Sequence, residues 1–213
     1  MKRAFTLAEV LVTLGIIGVV SAMTVPTLMQ NYQRKSYVTQ LHKVYNQLSQ
    51  ALLQYQNDKN ALNLKEAGLI SNTALGTFMN DYFKIVKTCD TISDCFAPSY
   101  KDMNGAAYSV MTADVKSYVL ASGVSIRPNY ALEGDRMINV MVDINGLQGP
   151  NIHGRDLFFM FIYNNGIIDD RNTTAPMTED QRNTSYNSRC AKNSGQIGGC
   201  FGKILNDGWE MTY

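Results

Sequence analysis

The sequence predicts an α+β protein in which a long N-terminal α-helix packs on an antiparallel β-sheet head. Three observations lead to this prediction. No charged side chain occurs from Val10 to Gln33, an apolar stripe with helical spacing follows this run, and the alternation typical of β-strands dominates from about Lys116 onwards. With 213 residues the chain has room for one ordinary domain and an appendage, or for two small domains.

The composition excludes several classes of protein. Hydrophobic residues make up 45% of the chain and charged residues 17%, which rules out intrinsic disorder or a coiled coil as a description of the whole chain. A mean hydropathy of -0.16 is too polar for a protein that crosses a membrane many times. The formal net charge of +1 gives no bulk electrostatic case for binding nucleic acid.

The uncharged run is long enough to cross a membrane once, because an α-helix needs about 20 apolar residues to span the hydrocarbon core. Lys2 and Arg3 precede the run, and the positive-inside rule keeps that end in the cytoplasm and places the remainder outside. An ordinary secretory signal peptide is the alternative. The run, however, exceeds the roughly 7 to 15 residues of a usual signal-peptide core and continues in a helical pattern.

Glu9 is a lone carboxylate at the cytoplasmic edge of the run, where an unpaired charge is costly and marks a functional candidate. Around it, Lys2-Arg3-Ala4 is followed by Phe5-Thr6-Leu7-Ala8-Glu9-Val10-Leu11-Val12. This segment resembles the class III signal of type IV pilins and type II secretion pseudopilins.

The resemblance implies a processing site and an assembly site. Prepilin peptidase would cleave between Ala4 and Phe5 and methylate the new N-terminus. Glu9 would pair with the terminal amine of a neighbouring subunit and set the register, because an amine and a carboxylate among apolar helices satisfy each other. Ala4 stands where the family usually has glycine, and this small change should affect the rate of cleavage more than its position.

The resemblance also implies partners and a location. The precursor would wait in the bacterial inner membrane as a single-pass protein with a cytoplasmic N-terminus and an extracytoplasmic head. An inner-membrane assembly platform and other pilin or pseudopilin subunits would incorporate it into an extracellular or periplasmic filament. The chain would divide into a leader peptide (1–4), a transmembrane and filament-core segment (5–29), an amphipathic continuation (30–57) and a globular α+β head with a disulfide-bonded C-terminal region (58–213).

Three small residues modify the predicted membrane helix. Pro26 removes a backbone donor and predicts a kink or a locally melted stretch at 22–26. Gly15 and Gly18 lie on roughly one side of the helix and would permit close helix packing, although single small residues are common in membrane helices.

Beyond the membrane segment, the apolar positions predict that the helix continues to about Asn57 and lays one face on a domain core. The stripe consists of Val38, Leu41, Tyr45, Leu48, Leu52 and Tyr55. A coiled coil would have the same spacing, but only about three heptads are present and the flanking charges are poorly patterned.

The head is predicted to contain short helices followed by a β-meander. Helices are expected at 62–69 and 73–83. Strands are expected at 116–121, 124–127, 137–144, 156–163 and 167–168, the first two joined by a hairpin at Ser122-Gly123. The tail from 171 to 213 is expected to be irregular, with Trp209 anchoring it to the core.

The four cysteines fall into two close pairs, Cys89 with Cys95 and Cys190 with Cys200. Four cysteines allow three connectivities, and local pairing is favoured because short loops close easily. Zinc is the rival, but neither pair has C-x2-C spacing and His42 and His153 are the only histidines. Disulfides indicate an oxidising compartment, in agreement with an extracytoplasmic head.

A turn-rich loop from Asp143 to Asp156 is the best candidate for local chemistry. Its pattern, D-x-N-G-x-x-G-P-N-x-x-G-x-D, is similar to one found in pilin-like proteins, and the oxygens of Asp143, Asn145 and Asp156 could hold a calcium ion. It is not an EF-hand, because the glycine is misplaced. The alternative is a structural Asx turn with Gly146 at positive φ. His153 is expected to be a loop histidine.

An enzymatic role has little sequence support, because neither histidine stands in a recognisable arrangement with a serine or cysteine nucleophile and no nucleotide-binding fingerprint is present. The sequence therefore predicts a structural pilin-like subunit without a cofactor other than the calcium ion considered above. Two alternatives remain. They are a pilus-borne module for adhesion or DNA uptake, and a membrane-anchored extracytoplasmic hydrolase; binding DNA would need a local arginine cluster, because the head is neutral overall.

Overall fold

The computed structural model describes residues 6–110, 114–192 and 195–213. The chain divides into two compact units, residues 1–36 and 37–213. Helix α1, Leu7–Asp58, begins in the first unit and ends in the second. It ends one residue beyond the predicted Asn57, and the α+β class predicted from the sequence is confirmed.

In the first unit the α-helix continues through Pro26. The locally melted stretch predicted at 22–26 is therefore wrong, whereas the kink stays a prediction. A proline removes one backbone donor, and the bonds of the surrounding residues hold the helix on both sides of it. The hydroxyls of Thr24 and Thr27 also donate to carbonyls one turn earlier, at 2.9 and 3.5 Å.

In the second unit α1 packs on the sheet through the predicted stripe. Its buried residues are Val38, Leu41, Val44, Leu48, Ala51, Leu52 and Tyr55. Val44 and Ala51 broaden the stripe, while Tyr45 is only partly buried beside it. These side chains share one core with the strands, which confirms packing on a domain core.

Six strands form an antiparallel sheet in the order β1-β4-β5-β6-β7-β8. Their bounds are β1 Ile85–Cys89, β4 Ser117–Leu120, β5 Ser125–Glu133, β6 Arg136–Asp143, β7 Leu157–Tyr163 and β8 Ile168–Asp169. Two further short strands, β2 Tyr100–Lys101 and β3 Ala107–Tyr108, pair separately. The predicted meander corresponds to β4 to β8, with the hairpin at Ser122-Gly123. The sequence pattern did not predict β1, which lies at the edge of the sheet.

The helices of the head differ from the prediction in two places. Helix α2, Asn72–Tyr82, matches the helix predicted at 73–83. The helix predicted at 62–69 is wrong, because this segment forms turns. Gly68 adopts a φ of 89°, and the side chains of Asn63 and Glu66 accept backbone N–H groups within the segment, which stabilises turns instead of a helix.

The C-terminal tail is more regular than predicted. It contains α3 Glu179–Ser185, a π-helical turn Tyr186–Cys190 and α4 Cys200–Asn206. Thr178 and Gln181 form a capping box that begins α3, and their T-x-x-Q spacing is the signal that could have predicted it. Trp209 anchors the tail as predicted, because its ring stacks on His42 with a centroid distance of 3.9 Å.

Strands β6 and β7 are buried on both faces. Ile138, Val140 and Val142 of β6 face the core that contains α1. Met141 of β6 and alternate residues of β7 face a second cluster that includes Phe96, Tyr100 and Tyr108. The chain around β2 and β3 therefore covers the face of the sheet that α1 leaves open, a layer that the sequence did not predict.

Both local disulfides are present. Cys89 bonds to Cys95, with Cα atoms 6.0 Å apart, and Cys190 bonds to Cys200, with Cα atoms 5.1 Å apart. The first closes the chain at the end of β1. The second links the π-helical turn to the start of α4, and its sulfur atoms are buried in the core that contains α1.

Candidate functional site

The carboxylate of Glu9 caps its own helix. The backbone N–H and the hydroxyl of Thr6 both donate to Glu9 Oε2 at 2.9 Å, and the Glu9 N–H donates to the Thr6 hydroxyl at 3.2 Å. These reciprocal bonds form a capping box. The T-x-x-E spacing of Thr6 and Glu9 indicates such a box, but the sequence analysis did not predict it. Within the described residues Oε1 accepts none of these bonds. The carboxylate therefore keeps one oxygen for a further partner.

The helical segment around and after Glu9 exposes its apolar side chains. The large exposed ones are Leu7, Val10, Leu11, Val12, Leu14, Ile16, Ile17, Val19, Val20, Met23, Val25, Leu28, Met29 and Tyr32. Thr13 turns its hydroxyl inward and donates to the carbonyls of Glu9 and Val10. The helix is long and apolar enough to cross a membrane by length and composition. An exposed apolar surface of this extent requires lipid or other apolar helices around it.

Gly15 and Gly18 add to this surface, because a Cβ built at either position would meet no described atom within 4 Å apart from the adjoining residues and the backbone of its own helix. Both positions are open to approach by another helix. Of the predicted processing residues, Ala4 and Phe5 lie outside the described residues.

Residues 1–25 match a family model described as the prokaryotic N-terminal methylation motif. The chain carries a class III prepilin signal. The signal covers the leader, Glu9 and most of the exposed apolar helix, and it supports a type IV pilin-like precursor that prepilin peptidase processes. Comparisons with curated proteins and with solved structures gave no match.

The predicted calcium ligands Asp143 and Asp156 are buried, and each carboxylate is engaged by the chain itself. Asp143 accepts the Tyr100 hydroxyl at 2.5 Å and the Asn145 N–H at 3.1 Å. Asp156 accepts the N–H groups of Asn151 and Ile152 at 2.7 and 2.6 Å. All four oxygens have donors, so the geometry favours the turn alternative over a calcium site.

The third predicted ligand, Asn145, also takes part in the turn. Its side-chain amide donates to the Gly149 carbonyl at 3.0 Å, and Gly146 has a φ of 67° as the turn alternative expects. In the described part of the chain no three His, Cys, Asp or Glu residues are grouped as metal ligands.

The loop connects to the first disulfide through Tyr100. The Ala97 N–H donates to the Tyr100 hydroxyl at 3.1 Å, and that hydroxyl donates to Asp143. Nearby, the Ser125 hydroxyl donates to the Cys95 carbonyl at 2.5 Å. The chain after Cys95 is thus fixed to the end of β6 by buried hydrogen bonds.

The loop also contacts the second disulfide. Gly154 has a φ of 86°, and a Cβ there would lie 2.8 Å from Cys200 Sγ, so a side chain at this position would clash. The adjacent His153 is buried, stacks on Tyr108 at 4.4 Å and lies 3.6 Å from the same sulfur. Burial lowers the pKa of His153 to about 3, with Asp102 opposing the shift, so the ring is neutral. The expectation of an ordinary loop histidine missed this packing role.

Two adjacent aspartates, Asp169 and Asp170, hold the C-terminal tail, and the sequence reading missed both. Asp169 accepts two bonds from Arg182, each 2.8 Å long, and the Met177 N–H at 2.8 Å. Asp170 is wholly buried and accepts the N–H groups of Gly199 and Gly202 at 2.7 and 2.6 Å. A Cβ on Gly202 would lie 2.8 Å from the Asp170 carboxylate, so glycine permits this approach.

The buried Asp143 predicts that the head becomes less stable as pH rises. Burial raises the pKa of Asp143 to about 7, opposed by the Tyr100 bond and reinforced by the charge of Asp156. The folded state then holds a proton between about pH 4 and 7 that the unfolded state has lost. The stabilisation by this proton is complete below about pH 4 and is lost as pH rises to about 7. The free energy of unfolding should fall by on the order of 2–4 kcal/mol over this range.

Urea unfolding of the full-length protein in neutral detergent, followed by the fluorescence of the single Trp209, measures this slope. Asp143→Asn should remove a large part of it, while the exposed Asp135→Asn should leave it unchanged. Equal slopes in the wild type and Asp143→Asn would contradict the assignment.

The same geometry predicts that calcium does not stabilise the head. A ligand that binds only the folded state raises the melting temperature, whereas each oxygen of these two carboxylates already accepts a hydrogen bond from the chain, with which a calcium ion would have to compete. Melting of the full-length protein should be the same in millimolar calcium and in chelator. A calcium-dependent rise that Asp143→Asn abolishes would restore the calcium site.

Proposed function

We propose that this chain is a structural subunit of a filament, a type IV pilus or a type II secretion pseudopilus. The observation that carries the proposal is a prepilin signal at residues 1–25 that coincides with a helical segment whose large apolar side chains are exposed from Leu7 to Tyr32. Such a surface gains free energy by packing against copies of itself or against related subunits, because each contact replaces lipid with close-packed side chains.

Glu9 is the residue that gives the assembly its register. A carboxylate among apolar helices costs on the order of 3 kcal/mol when unpaired, and the methylated terminal amine of a neighbour is the matching charge. The capping box occupies Oε2 and leaves Oε1 for that amine. A subunit displaced along the filament would leave both charges unpaired, so the pair disfavours wrong registers.

The proposed topology places the N-terminus in the cytoplasm and the head outside. Lys2 and Arg3 support this orientation through the positive-inside rule, and two disulfides in the head support an oxidising compartment. The subunit would be inserted in the inner membrane before an assembly platform extracts it. Its role in this proposal is structural, and the engagement of the buried carboxylates and of His153 in packing supports a head built for stability.

Processing is the first testable consequence. In cells that contain an active prepilin peptidase, the mature chain should begin at Phe5 with an N-methyl group, and mass spectrometry of the purified protein measures this directly. In cells without the peptidase the chain should keep Met1. A mature protein that begins after Ala22 would instead identify an ordinary secretory signal peptide.

Substitutions at Glu9 test assembly and separate the two roles of the carboxylate. Glu9→Gln keeps an acceptor for the capping box but removes the charge. It should be inserted and cleaved normally yet enter filaments at least about tenfold less than the wild type, because an amine facing a neutral side chain stays unpaired. Quantification of the subunit in sheared filaments against the membrane fraction measures this ratio.

Thr6→Ala is the matched control, since it removes the hydroxyl that takes part in the capping box and keeps the charge of Glu9. It should reduce incorporation much less than Glu9→Gln does. Normal incorporation of Glu9→Gln would refute the register role, and equal losses in the two variants would show that Glu9 acts only as a helix cap.

A further inference from the structure

A cavity of about 730 Å³ lies between α2 and the edge of the six-stranded sheet. Thr88, Tyr118 and Pro128 line it from the neighbouring strands β1, β4 and β5, and residues 114–116 border it beside them. Tyr118 pairs with Thr88 and with Ile126, and Pro128 lies two positions after Ile126, so the three strand residues share one face of the sheet. We call this space the α2 cavity. Its volume lies in the range of roughly 300–1,000 Å³ that is usual for small-molecule sites.

Tyr118 presents an unused hydroxyl to the α2 cavity. The residue is only 3% exposed, it lines the cavity, and its hydroxyl makes no hydrogen bond to any described residue. Burial raises the pKa of Tyr118, so the hydroxyl keeps its proton and can both donate and accept. A buried hydroxyl without a partner is costly, which indicates that a molecule in the cavity completes it.

Gly76 keeps this hydroxyl accessible. A Cβ at Gly76 would lie 3.4 Å from the Tyr118 hydroxyl, and both residues line the cavity. Gly76 lies inside α2 and has no positive φ that would require glycine. Since glycine is less favourable than alanine within a helix, helix formation does not explain this residue. Access to the Tyr118 hydroxyl does.

The surroundings of the α2 cavity are held in place by the fold. The side-chain oxygen of Asn72, at the start of α2, accepts the Tyr130 N–H of β5 at 2.7 Å. On the other side, the Cys89–Cys95 disulfide fixes the end of β1 between two residues that line the cavity, Thr88 and Asp90. A preformed site of this kind binds with a smaller loss of conformational entropy.

Hydroxyl and amide groups line the cavity together with apolar surface. The uncharged polar side chains besides Asn72 and Tyr118 are Thr73, Thr77, Asn80 and Thr88, and Leu75 and Val115 supply apolar contacts. Hydroxyl and amide groups offer donors and acceptors side by side. This lining suits a ligand that carries many hydroxyl groups on a carbon skeleton.

The charges at the cavity balance. Asp90, Asp114 and Lys116 line it, and Lys116 Nζ lies 3.7 Å from Asp90 Oδ1. Asp114 acts on the buried Arg127 of β5, whose pKa is lowered by burial and raised by the charge of Asp114. Arg127 also donates to the Ser117 hydroxyl at 2.7 Å. Two acidic and two basic groups leave no net charge, which favours a neutral ligand.

We propose that the α2 cavity binds a neutral saccharide. The Tyr118 hydroxyl would exchange a hydrogen bond with a sugar hydroxyl, the polar side chains of α2 would bond to further hydroxyls, and Leu75 and Val115 would contact the C–H groups of the ring. A phosphate or sulfate group would find no excess of positive charge, and an alkyl chain would leave the polar groups without partners. The site belongs to the head alone and does not depend on filament assembly.

A printed array of neutral, sialylated and sulfated glycans tests the class of ligand. The full-length protein is applied in a detergent without a sugar headgroup, and calorimetric titration with the best-bound glycan measures its affinity. Saturable binding to at least one neutral glycan is expected, with a Kd in the millimolar range or below. Absence of saturable binding to the neutral glycans, or a preference for the sialylated or sulfated ones, would overturn the proposal.

Tyr118→Phe removes only the hydroxyl. Because that hydroxyl bonds to no described residue, the melting temperature should not fall, while glycan binding should weaken about three- to tenfold through the loss of one hydrogen bond. Tyr186→Phe is the matched control, since it removes the same atom from a tyrosine outside the cavity. Equal affinities of the wild type and Tyr118→Phe would refute the role of this hydroxyl and with it the proposed site.

Gly76→Ala separates binding from folding. The added methyl group would stand beside the Tyr118 hydroxyl and should weaken glycan binding at least about threefold, whereas alanine favours the helix and should raise the melting temperature. A loss of binding in a more stable protein cannot result from unfolding. Unchanged binding in Gly76→Ala would place the saccharide elsewhere and contradict the proposal.

Discussion

The burial of β6 and β7 on both faces is the constraint on which the rest of the head depends. Every residue of both strands is buried, and β7 is apolar throughout, whereas β6 also buries Arg136, Asn139 and Asp143. Helix α1 covers one face through a regular stripe, because a helix of this length supplies many apolar side chains on one line. The opposite face is covered by short strands, turns and a disulfide loop. Irregular segments lack the regular backbone hydrogen bonds of a helix or a sheet. They can cover a buried face only if other groups bond to their backbone N–H and C=O groups.

Buried aspartates supply many of these partners. Asp143, Asp156, Asp169 and Asp170 are fully buried, and each accepts at least one backbone N–H from a loop or a helix start. A buried N–H without an acceptor would cost roughly 1–3 kcal/mol. The aspartates therefore accept the backbone N–H groups of the irregular segments, as strand carbonyl groups accept those of neighbouring strands within the sheet. The two disulfides lie close to these hydrogen bonds. Cys89–Cys95 precedes Tyr100 in the chain, and the sulfur of Cys200 lies against Gly154.

The sequence predicted the parts of the fold that repeat. Apolar spacing predicted α1, and β-rich runs predicted the strands from β4 to β8, because both patterns depend on many residues at once. The edge strand β1 was not predicted, because it is short and mostly exposed. The helix predicted at 62–69 is wrong, because Gly68 and local side-chain hydrogen bonds stabilise turns there. The tail looked irregular because its helices have only seven residues each.

The candidate sites divide in the same way. The prepilin signal is a local motif and could be recognised from consecutive residues, as could the local cysteine pairs. The carboxylates of the 143–156 loop were identified, but their partners Tyr100, Asn151 and Ile152 could not be assigned without the fold.

The adjacent positions of Asp169 and Asp170 restrict how this protein can change in length. One residue fixes the start of α3 and the next fixes the glycines around α4, so two separate segments are held from neighbouring points on the chain. A single inserted residue between them would force one of the two segments to move by the length of a peptide unit. We therefore expect the tail to tolerate changes in exposed stretches between these anchor points, such as 187–188. An insertion next to Asp170 should disrupt the fold.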